Sequence, residues 1–205
     1  ELLPQYATAS LVRAIPSVDG FKEAQRKVFF GARVLHLTGD GISVANAAGK
    51  IASRTMYHHR GTAMEDTIVG MAADYAGTGN VNLLLPLGQF GTRHQHAAAS
   101  AAYPKVSLNA PLHSLLFPPA DDAVLTHVMD EGVRVEPRLY APLLPMPLVF
   151  GCKGIATGWS TDVPPFHQVD VLDATTSWLQ GEEKEEERSP SSLVPWYRGF
   201  GGTVR

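Results

Sequence analysis

The apolar segment at residues 133–149 constrains the fold most, because prolines interrupt it at positions 137, 142, 145 and 147. Proline lacks the backbone N–H that a helix interior or a central strand requires, and its ring clashes with the preceding helical turn. The sequence VRVEPRLYAPLLPMPLV therefore cannot form a regular helix or a central strand. We expect an extended, irregular path through these residues.

Helical periodicity occurs in segments that glycine or proline separates. In the segment 62–75, Thr62 and Glu65 have the spacing of a capping box, while Met64 and Ile68 fall on one face. Segment 43–55 is rich in small residues and would pack closely against a neighbour. The predicted helices cover residues 8–14, 20–34, 43–55, 62–75 and 169–179, with one or two further helical turns at 122–129.

The composition is that of an ordinary globular protein. The chain has 205 residues, 44% hydrophobic and 18% charged, which suffices for one large domain or two small ones. No apolar run approaches the roughly 20 residues that span a bilayer, so no membrane partner is expected. One cysteine, Cys152, excludes an intramolecular disulfide and suits a reducing compartment. Because Glu1 is preceded by neither an initiator Met nor a signal-peptide pattern, we expect an internal piece of a longer protein.

Charge is segregated along the chain. The formal net charge of −3 argues against nucleic-acid binding, yet residues 182–188 alone contain five glutamates against one lysine and one arginine. We expect an acidic, solvated loop at residues 181–192, since blocks of like charge repel and rarely pack. The rest of the chain is about neutral, and its cations form two clusters: Lys50, Arg54, His58, His59 and Arg60, then Arg93, His94, His96 and Lys105.

The first cationic cluster precedes a predicted helix directly. His58, His59 and Arg60 end where the helix of residues 62–75 begins. A helix N-terminus presents unpaired N–H groups and a positive dipole end, which together favour a phosphate. The alternative is that the histidine pair only caps the helix and packs against it.

A single tyrosine lies in the second cationic cluster. The stretch GTRHQHAAASAAYPK at residues 91–105 sets Tyr103 between an alanine run and Pro104, with Arg93 and Lys105 nearby. The ring is either buried beside a loop or acts as a nucleophile. Because Pro104 fixes its own φ and lacks an N–H, we expect it to disfavour a regular strand directly after the tyrosine.

Several motifs together resemble the breakage-reunion core of type IIA DNA topoisomerases. They are IPSVDGFKEAQRKVFFG, YHHRGTAMEDTIVGMA, NLLLPLGQFGTR, LLFPPADDAVL, VEPRLYAPLLPMPLVFG and GIATGWSTDVPPF, in the family's order and approximate spacing. LPLGQFGTR and PLLPMPLVFG are similar to the eukaryotic topoisomerase II branch rather than the gyrase branch. The resemblance implies an α+β fold with two domains. Residues 1–125 would form a winged-helix (helix-turn-helix, catabolite-activator-like) domain, and residues 126–205 the beginning of the tower (shoulder) domain.

The resemblance also implies an activity. Enzymes of this family are ATP-dependent isomerases that cut both strands of double-stranded DNA through a 5′-phosphotyrosyl intermediate and then religate them. Mg²⁺ and ATP are expected to bind outside this segment, because neither a Toprim signature nor a nucleotide-binding loop is present. Cutting two strands with one tyrosine each implies a homodimer. The expected location is the nucleus, with the mitochondrion or another organelle as the alternative.

The resemblance assigns roles to individual residues. Tyr103 becomes the nucleophile, and no residue of the segment is expected to hold a metal. The Tyr57-His58-His59 element is similar to the family's DNA-facing YHHG, with Arg60 in place of glycine. The residues implied to bind DNA are Arg26, Lys27, His58, His59, Arg60, Arg93, Lys105 and Ile155. For Arg26 and Lys27, which match the family's QRK, the alternative is a solvated surface role. For Ile155, matched to the isoleucine that wedges between base steps, the alternative is core packing.

The nucleophile region departs from the family pattern. Ala102 stands where the family has an arginine before the tyrosine, and residues 96–99 replace a Gly-Gly-Lys-Asp element. Ungapped counting from the two flanking motifs places the nucleophile at Lys105 or Pro104, so Tyr103 requires a small deletion before it and a small insertion after it. The alternative function is therefore a divergent, catalytically impaired DNA-binding or structural module. A generic winged-helix regulator is disfavoured, because such domains lack the downstream GIATGW segment.

Overall fold

The computed structural model describes residues 2–59, 61–181 and 193–204, which form a mixed α and β fold. Among these residues no helix is both long and apolar enough to cross a membrane. The helices are α1 (Leu2–Ala14), α2 (Glu23–Val34), α3 (Val44–Arg54), α4 (Gly61–Ala72), α5 (Ala110–Leu116), α6 (Met146–Phe150) and α7 (Gln168–Gln180), with a 3₁₀ turn at Pro119–Ala123. The strands are β1 (Ile42–Ser43), β2 (Leu84–Leu87), β3 (Lys105–Leu108), β4 (His127–Asp130), β5 (Val133–Pro137), β6 (Cys152–Ala156) and β7 (Trp159–Val163).

Helices α2, α3 and α4 pack against one another and supply much of the core. Apolar residues recur at helical spacing on each, which places one face of every helix in the interior. Gly31 lets α2 approach α3 closely, since a Cβ there would lie 2.8 Å from Ile51 Cγ2. The buried residues of these three helices include Val28, Phe29, Ala32, Val44, Ala47, Ala48, Ile51, Met64, Ile68 and Ala72.

A three-stranded antiparallel sheet lies beside these helices in the order β1-β3-β2. Its central strand, β3, begins immediately after Pro104. The expectation that Pro104 disfavours a strand is therefore wrong. Pro104 precedes the first paired residue, so its missing N–H costs the ladder nothing, and its carbonyl accepts a hydrogen bond from Val44 N–H at 2.9 Å.

The proline-rich segment begins as β5, is irregular at residues 138–145 and ends in the short helix α6. The expectation that no helix forms here is wrong for α6, because Pro147 lies in its first turn, where a missing N–H breaks no helical hydrogen bond. Among the described residues β5 pairs with β4 alone, and Pro137 is its last residue, so the prolines of this segment stay out of central strands. Residues Glu131 and Gly132 join the two strands with φ values of 45° and 80°, the left-handed pair that a tight hairpin requires. The predicted helical turns at 122–129 are thus partly wrong, because the hairpin captures His127–Asp130 as β4.

The helices lie where the periodicity predicts them, but the predicted cap of α4 differs from the structure. Ser43 caps α3 by accepting from Asn46 N–H. Helix α4 begins at Gly61, so Thr62 lies inside its first turn and is not the N-cap. Helix α7 ends at Gly181, whose φ of 69° provides a left-handed C-cap. Beyond Gly181, the predicted acidic loop falls outside the described residues.

Candidate active site

Tyr103 lies on the surface. Its side chain is 79% exposed, and its N–H donates to Ser100 O at 2.9 Å, which closes a turn directly before β3. The alternative of a ring buried in the core is therefore wrong. An exposed phenol at the start of a central strand is accessible to a macromolecular substrate.

The turn that carries Tyr103 is anchored to the N-terminus of α3. Val44 N–H donates to Pro104 O, and Ala45 N–H donates to Ala101 O, both at 2.9 Å. The first N–H groups of a helix lack partners within the helix, so these two carbonyls satisfy them. The backbone on both sides of Tyr103 is thereby held to the helical core, so the position of the residue that carries the phenol is fixed.

The residues on either side of Pro104 point away from the core. Pro104 is buried, whereas Tyr103 and Lys105 are exposed. Lys105 opens β3 and is paired on both sides, with Ser43 in β1 and with Leu87 in β2. The sheet therefore fixes the backbone of Lys105 as the α3 N-terminus fixes that of Tyr103.

The loop before Tyr103 folds back on itself. Gln89 Nε2 donates to Ala97 O at 3.2 Å, and Ala99 N–H donates to Gln89 O at the same distance. Gly91, with φ of 94°, permits close approach, because a Cβ there would lie 2.5 Å from His96 O. The alanine run thus forms one side of an ordered loop.

Two cations of the second cluster contact aromatic rings. The exposed Arg93 guanidinium lies 5.8 Å from the centroid of the Phe200 ring. The His96 ring packs edge-on against Tyr75 with centroids 5.5 Å apart. Both side chains are therefore positioned in part by these aromatic partners.

The histidine pair lies just before α4 on exposed backbone. His58 Nε2 lies 3.1 Å from Asp130 Oδ2 in β4, and the His59 ring meets Tyr57 edge-on with centroids 5.3 Å apart. Burial, and then the charge of Glu23, raise the pKa of the Tyr57 phenol, so its ionisation is disfavoured. A phosphate at this helix would have to compete with Asp130 for His58. Arg60 lies outside the described residues.

Arg26 and Lys27 do not lie on the surface, and this corrects the expectation that they face the DNA backbone. They are only 5% and 6% exposed. Arg26 Nε and Nη2 donate to the two carboxylate oxygens of Asp19 at 2.8 and 2.9 Å. Lys27 Nζ lies 2.8 Å from both Glu136 Oε1 and Thr55 O. Charges paired in this way hold α2 to neighbouring segments and are not free to meet a phosphate.

Ile155 protrudes from the β6–β7 hairpin and is 80% exposed. Core packing, the alternative for this residue, is therefore wrong. Helix α1 supports the hairpin, because Thr157 N–H donates to Ser10 Oγ at 3.2 Å. Gly154 allows the strand to lie against α1, since a Cβ there would come within 2.3 Å of Ala14 O. The hairpin that carries the exposed isoleucine is thus supported by α1.

The family model of the DNA gyrase/topoisomerase IV A-subunit matches residues 13–205. The chain is 40% identical over 201 residues to DNA topoisomerase 2 of Meyerozyma guilliermondii, covering 97% of this chain and 14% of that protein. Against DNA topoisomerase 2 of Arabidopsis thaliana the identity is 41% over 202 residues, with 97% and 13% covered.

A solved structure has the same fold. The crystal structure of the Plasmodium falciparum topoisomerase II DNA-binding, cleavage and re-ligation domain superposes with a TM-score of 0.90 at 34% identity. That match covers 99% of this chain and 27% of that chain. The chain therefore spans a minor share of the proteins it matches. The resemblance that the motifs indicated is confirmed: the chain belongs to the DNA gyrase/topoisomerase IV A-subunit family.

Proposed function

We propose that this chain is the DNA-binding and DNA-cleaving part of an ATP-dependent type IIA topoisomerase. The observation that carries the proposal is Tyr103, an exposed phenol on a turn anchored to α3. The names of the relatives support the same reading, since they are DNA topoisomerase 2 proteins. The chain spans only a small share of those proteins. We place the ATPase in another part of the parent protein.

In this proposal Tyr103 is the attacking group. Its oxygen forms a bond to the phosphorus of the scissile phosphodiester, and the bond from phosphorus to the 3′ oxygen breaks. The phenol proton passes to water, and the departing 3′ oxygen takes a proton from water. Religation reverses both steps, so the phosphotyrosyl bond conserves the energy of the cut strand.

Metal chemistry is assigned to another part of the parent protein. The described residues contain no group of three or more His, Cys, Asp or Glu side chains that could hold a metal ion. No step proposed for this chain runs through Mg²⁺. We place both Mg²⁺ and ATP outside this segment.

We propose that double-stranded DNA lies across the exposed cations and the β6–β7 hairpin. His58, His59, Arg93 and Lys105 are all exposed, and basic side chains of this kind bind the phosphate backbone. Arg60, between His59 and α4, remains a proposed contact from the sequence. Ile155 is the proposed wedge between base steps, a use of apolar side chains that bends a duplex.

The domain organisation follows from the same proposal. Helices α2, α3 and α4 with the hairpin β2–β3 would form the winged-helix domain at residues 1–125, and residues 126–205 the start of the tower. One nucleophilic tyrosine per chain and two strands to cut imply a homodimer. The nucleus is the proposed location, with an organelle as the alternative.

The test is covalent trapping in the full-length protein. Tyr103→Phe removes the nucleophilic oxygen and should abolish the covalent DNA adduct, while Tyr6→Phe, at a tyrosine 60% exposed on α1, should leave it unchanged. An adduct that persists in the Tyr103→Phe protein would refute the assignment.

A second candidate function rests on Ala102. Without the arginine that the family places before the tyrosine, the segment would be an impaired DNA-binding or structural module. This alternative predicts salt-sensitive duplex binding by the wild-type protein with no phosphotyrosyl product.

A further inference from the structure

Lys105 lies two residues after Tyr103, on the strand that follows the nucleophile turn. We propose that its ammonium group contacts the scissile phosphate and replaces the positive charge that is missing at Ala102. This inference rests on the proposed function, because it assigns a catalytic partner to the same tyrosine.

Tyr103 and Lys105 flank the buried Pro104, and both are exposed. Tyr103 ends the turn that its N–H closes on Ser100 O, and Lys105 begins β3. Two residues this close in sequence lie at most about 7 Å apart at Cα, because a fully extended chain spans about 3.3–3.6 Å per residue. The Tyr103 hydroxyl and the Lys105 ammonium both end long side chains, so the two can meet at one phosphate.

Both residues stand on backbone that is fixed independently. Tyr103 follows Ala101, whose carbonyl accepts from Ala45 N–H at the start of α3. Lys105 is paired in register with Ser43 on one side and with Leu87 on the other. A phosphate between the two side chains would therefore meet groups whose backbone positions are set before DNA binds, which reduces the reorganisation that electrostatic stabilisation requires.

The other cations near Tyr103 are less suited to this role. Arg93 lies against the Phe200 ring, and His96 packs against Tyr75. Lys105 has no salt bridge and no side-chain hydrogen bond within residues 2–59, 61–181 and 193–204. Its charge is thus uncommitted in the described part of the chain.

The chemistry favours a cation at this place. As the tyrosine oxygen bonds to phosphorus and the bond to the 3′ oxygen breaks, negative charge builds on the non-bridging oxygens. An ammonium group beside them stabilises that charge without exchanging a proton. Lys105 has three donors and a flexible stem, so it can follow the phosphate as its geometry changes.

The test is single-turnover cleavage by the full-length protein at saturating DNA, with the DNA dissociation constant measured separately. Lys105→Ala and Lys105→Gln should each slow adduct formation by about 10²–10³, the usual cost of losing one transition-state donor. Lys105→Arg, which keeps the charge, should stay within about tenfold of the wild type. The second neutral variant guards against a folding defect in the first, and Arg138→Ala controls for the loss of one exposed cation.

A rescue experiment tests the position of the charge. Ala102→Arg in the Lys105→Ala protein restores the family's arginine and should recover most of the lost rate. The inference is wrong if Ala102→Arg does not restore cleavage in the Lys105→Ala protein and the Lys105→Arg protein cleaves as slowly as the neutral variants. The charge then has no role at this place.

Different results would overturn the proposed cleavage function and the proposed role of Lys105. A wild-type protein that forms no adduct, or an adduct that survives Tyr103→Phe, overturns the proposed function. An adduct that depends on Tyr103 but forms at the wild-type rate in both neutral variants overturns the role of Lys105 alone.

Discussion

Replacing Asp19 by alanine removes a carboxylate that four donors share. Its Oδ1 accepts from Arg26 Nη2 at 2.9 Å and from Phe21 N–H at 3.1 Å. Its Oδ2 accepts from Arg26 Nε at 2.8 Å and from Tyr140 N–H at 3.1 Å. Asp19 is fully buried, so water does not reach these groups. The substitution therefore leaves a guanidinium charge and two backbone N–H groups without this partner.

The expected cost is large because the charge left behind stays buried. Breaking a buried ion pair by removing one partner destabilises by about 3–5 kcal/mol. At about 1.4 kcal/mol per tenfold change, this amounts to roughly 10²–10⁴ in the equilibrium between closed and open forms. Local opening should increase at the segments that Asp19 joins, which are the start of α2 and the backbone at Tyr140.

Hydrogen–deuterium exchange of the full-length protein measures this effect locally. Peptides covering α2 should exchange about 10²–10⁴ times faster in Asp19→Ala, because α2 opens together with the Asp19–Arg26 ion pair. The double variant Asp19→Ala/Arg26→Met should recover much of the protection, because it leaves no uncompensated charge. Asp162→Ala, in an exposed pair with Lys153, is the control and should leave exchange of α2 unchanged.

Unchanged exchange in Asp19→Ala, together with weaker and less salt-dependent DNA binding in Arg26→Met, would mean that Arg26 is a DNA contact rather than a structural cation.

Two further predictions concern the hairpin and the buried histidine. Ile155→Ala should reduce DNA bending, measured by energy transfer between labelled duplex ends, more than Val124→Ala does at another exposed apolar side chain. Gly154→Ala should reduce bending as well, since its Cβ would displace the hairpin from α1; full bending in either hairpin variant would contradict the wedge. Burial, and then the charge of Arg33, lower the pKa of His113, so the folded state binds this proton less readily than the unfolded state does. The stabilisation is present above the unfolded pKa of about 6.5 and is lost as pH falls below it. His113→Gln should lessen the acid-induced loss of thermal stability, and an unchanged pH profile would count against it.

The fold was predictable where local chemistry decides it. Segment 43–55 contains both its cap and its apolar face, and α3 forms there with Ser43 as N-cap. The start of α4 was less predictable, because Thr62 has the chemistry of a cap but Gly61 already lies in the helix. Residues 127–130 form a strand only because β5 pairs with them, and local periodicity does not report that pairing.

The site was predictable in its membership but not in its geometry. The sequence singled out Tyr103 but left open whether its ring is buried, since that depends on how the turn docks on α3. Arg26 and Lys27 are two adjacent basic residues, a pattern that predicts an exposed basic surface. Their partners, Asp19 and Glu136, come from outside α2, and Glu136 is so distant in sequence that no local pattern joins it to Lys27.

Mass spectrometry of the trapped complex tests the central claim most directly. Trypsin cleavage after Arg93 and Lys105 releases residues 94–105, a peptide in which Tyr103 is the single tyrosine. After nuclease digestion of the DNA, we expect a nucleotide attached to this peptide at Tyr103. A nucleotide on a different residue, or DNA relaxation by the full-length protein with no modification of this peptide, would contradict it.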